Sequence, residues 1–158
     1  MRVIKLGLIS VVFFTIFLTI LSFFFPSHIR ISKAVDIKTS KDSLMMYLAQ
    51  PAQWQKWYPG ADSGKLIANG IKTKDGKELT LAGKSDSTVT MLSNSGKTGQ
   101  SGWNIFEANI PGSYTIQWYM DIHLRWYPWE KFSGLLLEKR YGPMMEKGLD
   151  NLKALLEK

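Results

Sequence analysis

The chain opens on an unbroken apolar run. From Leu6 to Phe25 it reads LGLISVVFFTIFLTILSFFF, with no charge and no polar face. Twenty residues of helix rise about 30 Å, the thickness of a bilayer core. Ser10, Thr15, Thr19 and Ser22 can bond back to their own helix, so they cost little in lipid. Pro26 ends the run, and the period then changes to two. In 28–38, Ile29, Ile31, Val35 and Ile37 share one face while Arg30, Ser32, Asp36 and Lys38 share the other, which predicts a half-buried strand. Lys33 interrupts the apolar face, as a side chain snorkelling at a sheet edge would. Thr39 with Asp42 three residues on resembles a helix start, and Leu44, Tyr47 and Leu48 follow at helical spacing. Pro51 closes that helix and opens a short one carrying Trp54, Trp57 and Tyr58, which Pro59-Gly60 ends.

Residues 61–126 read as an antiparallel meander. Turn signals recur at Asp75-Gly76, Gly83-Lys84-Ser85, Asn94-Ser95-Gly96 and Pro111-Gly112. The last strand carries the strongest pattern. From 113 to 126 every even position (Tyr114, Ile116, Trp118, Met120, Ile122, Leu124, Trp126) is apolar or aromatic, and a one-residue slip would expose all seven. The C-terminus is helical from Pro128, with a kink or break expected at Gly142-Pro143. Beyond it Met145, Leu149, Leu152 and Leu156 form one stripe. Gly148 within that helix points to close packing on the sheet.

Two segments follow from this pattern: an N-terminal anchor, 1–27, and one domain, 28–158. The basic start (Arg2, Lys5) would also suit a signal peptide. A signal peptide, however, has a shorter apolar core and a small-residue cleavage site, and here the run passes straight into Phe23-Phe24-Phe25-Pro26. An uncleaved single-pass anchor, contacting the membrane through residues 6–25, is therefore expected. Arg2 and Lys5 favour a cytoplasmic N-terminus, although Arg30, Lys33, Lys38 and Lys41 oppose it by count. Because long domains translocate largely regardless of charge, the domain is expected on the periplasmic or extracytoplasmic side.

Composition narrows the chemistry. With no Cys, thiol nucleophiles, Cys-ligated zinc, iron–sulfur clusters and disulfides are excluded. The net charge is +7, but the cations Lys65, Lys72, Lys74, Lys77, Lys84 and Lys97 sit in turns without interleaved aromatics, so no nucleic-acid partner is expected. No phosphate-binding glycine loop, G-x-S-x-G or HExxH element is present. His28 and His123 lack a third ligand at metal-binding spacing, so neither a metal nor a cofactor is expected.

Three stretches in order resemble the START/Bet v 1-like superfamily, in its SRPBCC, polyketide cyclase/dehydrase-like branch. They are the strand ending Val35-Asp36-Ile37 with its following helix; Pro51-x-x-Trp54-x-x-Trp57-Tyr58-Pro59; and Arg125-Trp126-Tyr127-Pro128-Trp129-Glu130-Lys131-Phe132 running on to Gly142-Pro143 and Glu146-Lys147-Gly148-Leu149-x-Asn151-Leu152. The resemblance covers about 28–158. It implies an α+β helix-grip fold, a curved antiparallel sheet of seven strands around a long C-terminal helix, of which 64–73 is the weakest strand signal. It also implies an apolar cavity for a lipid, sterol or polyketide. Met91, Trp103, Ile105, Tyr114, Trp118 and Met120 on the inward face either line that cavity or fill the core.

Glu107 shares their parity. It is a weak candidate for a general acid inside the cavity, set against a plain place at the strand end in water. His123 and Asp121 resemble a base with its orienting carboxylate, but they lie on the opposite face. Trp54, Trp57 and Tyr58 either gate a cavity or dock their helix. The function read from the sequence is a membrane-anchored domain binding a lipid or other hydrophobic small molecule. The alternatives are a cyclase- or hydratase-like enzyme acting on a hydrophobic substrate, and a non-catalytic assembly or scaffold protein; the sequence names no protein partner.

Overall fold

A computed structural model describes residues 2–94 and 98–157. The turn at Ser95-Gly96, and Lys97, lie outside them. Helix α1 (Arg2–Ser22) comes first, followed by β1 (His28–Lys38), α2 (Lys41–Ala49) and α3 (Pro51–Trp57). Six strands follow: β2 (Lys65–Ile67), β3 (Gly70–Lys72), β4 (Glu78–Lys84), β5 (Thr88–Ser93), β6 (Thr98–Glu107) and β7 (Ser113–His123). Helices α4 (Pro128–Gly134) and α5 (Leu137–Leu156) complete the chain. The strands form one seven-stranded antiparallel sheet in the order β1-β7-β6-β5-β4-β3-β2. Register shifts in the β4–β5 and β6–β7 ladders add to its curvature. This is the helix-grip arrangement, and the weak 64–73 signal is the short β2–β3 hairpin.

Helix α1 is long and apolar enough to cross a membrane; most of its side chains are exposed, and only its last turn, down to the buried Ser22, meets α4. Its Thr15, Thr19 and Ser22 hydroxyls donate to the carbonyls of Val11, Thr15 and Thr19. It ends at Ser22 rather than at Phe25. Phe23, Phe24 and Phe25 continue as a tighter turn, each N–H reaching back three residues.

Period two holds as far as a partner strand exists. Each β1 residue from His28 to Lys38 pairs with β7, from His123 to Ser113. The last bond runs from Leu124 N–H to Ser27 O. Pro26 stops the partner, so β7 ends at His123 instead of 126, and Trp126, expected to face inward, is exposed. Helix α2 is capped by Ser40, whose hydroxyl accepts from Ser43 N–H, and not by Thr39. At the C-terminus the break falls after Gly134. Helix α5 runs through Gly142-Pro143 without interruption.

Four tryptophans meet at the centre. Trp103 and Trp118 are cross-strand partners, and α3 inserts Trp54 and Trp57 over them. Trp57 lies 5.3 Å from Trp103 and 6.1 Å from Trp118, and Trp54 lies 5.6 Å from Trp103. Leu48 O and Tyr47 O take the indole protons of Trp54 and Trp57, which ties α3 to α2. Helix α5 then closes over the cluster along β1. A Cβ on Gly148 would stand 2.6 Å from the Trp118 ring and 2.9 Å from Pro59, so only glycine permits this approach. Farther along, Lys153 Nζ donates to Asp36 O and Lys38 N–H donates to Glu157, capping the free edge of β1.

On the outer face Arg30 forks onto Asp121, Nε to Oδ1 at 2.7 Å and Nη2 to Oδ2 at 2.8 Å, binding β1 to β7 near the end of α1. These bonds hold the Asp121 carboxyl below its ordinary value of 3.8, against the opposing effect of burial.

Two outcomes follow. Gly148→Ala is expected to destabilise the domain by about 1–3 kcal/mol through overpacking, although alanine is the better helix former; thermal melts in mild detergent check this, and a neutral result would show that α5 stands off Trp118. For Asp121, a depressed folded pKa means that the pair's contribution is complete above the ordinary value and is lost as pH falls through the folded one. Arg30→Gln should therefore lower the melting temperature at neutral pH and converge on the wild type in acid. Parallel curves through the acid range would show that the pair contributes nothing.

Candidate functional site

Of the hollows that flank the first half of α5, two have largely apolar walls. The inner one lies on the concave face of the sheet and is lined by Tyr58, Leu79, Met91, Met120, Tyr141 and Met144, with Ser93, Ser101 and Lys77 at its polar margin. Its volume is about 40 Å³, room for a few water molecules, whereas pockets for drug-sized ligands hold roughly 300–1,000 Å³. Methionine thioethers make its wall adaptable. Burial pushes the Tyr58 phenol far above its ordinary range, so it stays neutral. Ser101 is satisfied, donating to Tyr119 O at 2.8 Å and accepting from Trp118 Nε1 at 3.1 Å. Lys77 is exposed and is the one charged residue in this lining.

The outer hollow is a groove of about 480 Å³ where α1 ends. Phe25, Pro26, Ile29, Ile31 and Leu135 supply apolar walls, and Arg30, Ser32, Lys131 and Glu138 supply polar ones. Ile31 and Met120 are cross-strand partners, so the groove and the pocket adjoin. The start of α5 separates them: Glu138 faces the groove, and Tyr141 and Met144 face the pocket. Lys33 fastens this segment. From the inner face of β1 it reaches Glu138 at 3.4 Å and Glu146 at 2.9 Å, passing under Gly142, with one carboxylate on each side of Gly142-Pro143. The bonds from Glu146 and then Glu138 raise its amine above the ordinary range. Pro143 has no N–H to offer the preceding turn, which weakens the helix at that point.

The six residues expected on the inward face divide. Met91 and Met120 line the inner pocket. Trp103, Trp118 and Ile105 are buried in the packed core, and Tyr114 is half-buried at the far end of the sheet. Glu107 pairs with Tyr114 there and is exposed, outside both hollows. Trp103 Nε1 has no hydrogen-bond partner; the rings of Trp54, Trp57 and Trp118 surround it. Trp54, Trp57 and Tyr58 dock their helix, and of the three only Tyr58 reaches the pocket.

His123 and Asp121 lie on the outer face. Asp121 is held by Arg30, with His28 Nε2 3.8 Å from its Oδ1, and the two imidazoles stack at 4.6 Å. Among the described residues no group of three or more His, Asp or Glu is placed to hold a metal.

Sequence reading missed Leu79, Tyr141 and Met144 in the pocket and the groove as a whole. Met144-Met145 after Gly142-Pro143 was the available signal. Successive residues point about 100° apart on a helix, so one methionine joins the core stripe and the other is free to face a hollow.

Comparison with known proteins agrees with this geometry. Residues 28–157 match the family model for polyketide cyclase/dehydrase and lipid transport proteins. No curated protein sequence matches the chain. A START superfamily protein from Mycobacterium smegmatis superposes with a TM-score of 0.61 at 14% identity, covering 81% of this chain and 97% of that one. The protein XoxI from Bacillus cereus gives 0.59 at 14% identity, with 80% and 94% covered. The di-domain aromatase/cyclase StfQ of the steffimycin biosynthetic pathway gives 0.61 at 11% identity; the match covers 82% of this chain and 51% of StfQ. The chain thus belongs to the polyketide cyclase/dehydrase and lipid transport family, with a START-like fold.

Proposed function

We propose that the protein is a membrane-anchored binding domain for a lipid or other hydrophobic small molecule, held outside the cytoplasm. The ligand sits on the concave face beneath the first half of α5 and enters from the groove beside the anchor. The observation that carries this reading is the arrangement at Gly142-Pro143. A helix segment weakened at Pro143 and pinned by one lysine lies between a 480 Å³ groove and a methionine-walled pocket. Lifting that segment joins the two spaces without disturbing the tryptophan cluster. The binding energy is apolar burial, roughly 25 cal/mol per Å² removed from water, and Lys77 at the rim suits a ligand with an anionic head. Among the described residues the pocket lining holds no carboxylate and no imidazole; the reading is one of binding.

A second reading, a non-catalytic assembly or scaffold protein, is favoured by the closed core. Trp54, Trp57, Trp103 and Trp118 are at most 1% exposed and occupy the centre of the grip.

The two readings separate experimentally. The full chain, extracted in mild detergent and examined by native mass spectrometry, should carry a stoichiometric apolar adduct or take up a fluorescent fatty acid. Met144→Trp, which fills the pocket from its half-buried rim, should weaken uptake at least about tenfold, roughly 1.4 kcal/mol, with an unchanged melting temperature. A wild-type protein that carries and takes up nothing would leave the assembly reading standing.

A further inference from the structure

The chain between β7 and α5 carries a set of large apolar side chains that the domain does not bury. Trp126 is 64% exposed, Trp129 68%, Leu135 66% and Leu136 64%. Isolated exposed apolar residues are ordinary on any surface, but these are organised. Tyr127 stacks on Trp129, rings 5.0 Å apart and 5° from parallel, and packs on Trp126 at 4.9 Å. The three rings thus form a preassembled aromatic ladder. Its position says what covers it. Helix α4 is fixed to the end of α1: Lys131, itself 7% exposed, donates to Phe25 O at 2.9 Å, and the Phe132 ring meets Phe25 edge-on at 5.1 Å. Helix α4 has seven residues, a length of about 10 Å, so the ladder at its start and Leu135-Leu136 just past its end flank the residues that touch Phe25. Phe23 and Phe24 are exposed at the same level. Tryptophan and tyrosine are the residues that favour the boundary between headgroups and acyl chains. Of the exposed charges flanking the segment, Arg125, Lys139 and Arg140 are basic and one, Glu138, is an acid paired with Lys33, a net positive set that suits an anionic lipid surface.

We infer that the segment Trp126–Leu136 is a second membrane contact, lying in the interface of the leaflet where α1 ends. The domain is then held on the bilayer by two attachments instead of swinging on one, and the groove beside Phe25 and Leu135 opens against lipid. This rests on α1 being an uncleaved anchor.

The tryptophans provide the test. The anchor has none, four of the six are buried in the core, and the remaining two are Trp126 and Trp129. The full chain is reconstituted into phosphatidylcholine–phosphatidylglycerol vesicles, with and without bromine atoms high on the acyl chains, and its emission is compared with that of the Trp126→Phe, Trp129→Phe double variant. The expected result is bromolipid quenching in the wild type, lost in the variant, with these two residues shielded from aqueous iodide. Equal quenching of both proteins, while both float with the vesicles, would overturn the inference and leave the anchor intact; a ladder open to iodide would instead mark a protein-binding surface. Failure to float would overturn both the anchor and the contact.

Discussion

The approach of α5 to Trp118 at Gly148 is the contact on which the rest of the molecule depends. An indole on the concave face of a curved sheet leaves little height for a helix above it, and only a residue without a Cβ lets the helix down. Once α5 is seated there, its later turns reach the free edge of β1 and cap it with Lys153 and Glu157. An open β edge is a template for pairing with another chain, so the same helix that closes the core also protects the sheet. Helix α3 completes the arrangement from the other side. Its two tryptophans fill the volume that the curvature of the sheet would otherwise leave empty.

That filling displaces the site. In a grip closed at its centre, the methionine-walled pocket lies beside the first half of α5, around Pro143. There the contacts are of another kind: a lysine between two carboxylates, three methionines and two tyrosines. Each is easier to rearrange than four interlocked indoles. Lys33 is informative here. Placed on the apolar face of β1, it would be an error of patterning if the helix above it carried leucine at 138 and 146. With Glu138 and Glu146 on either side of Gly142, it is instead a fastening across a weak point. An exposed ion pair of this type contributes little to global stability, which suits a contact meant to be broken.

Much of this was legible in the sequence, and the misreadings share a cause. The alternation through β7 gave the inner face and the register because each residue there has a partner across the ladder. The pattern ran on past His123 in the sequence but not in space, because Pro26 removes the partner strand, and Trp126 turned outward with it. The W-x-x-W element located α3 correctly. Whether Trp103 and Trp118 line a cavity or fill a core is a question of enclosed volume, which no linear pattern encodes. The Gly142-Pro143 pair was read as a break, yet packing of α5 on β1 keeps the helix continuous. The actual break, at Leu135-Leu136, follows Gly134, whose missing Cβ leaves room for Ile29 and Leu124. Exposed leucines at a helix junction look like core positions until the neighbouring end of α1 is placed beside them.

A pocket of this size raises a question of affinity that tethering answers. A cavity that must displace part of a helix before it admits a ligand spends binding energy on the opening, and its apparent affinity falls by the fraction of time it stands open. In free solution that would leave it empty against sparingly soluble ligands. On a membrane the ligand is already concentrated in the leaflet beside the groove, and a domain confined to that surface meets it at a far higher effective concentration. Weak, readily reversed binding is then sufficient for occupancy, and it is also what a carrier needs in order to release. On the proposed function, the closed core and the anchor would be complementary: the first would make binding weak and the second would make weak binding enough.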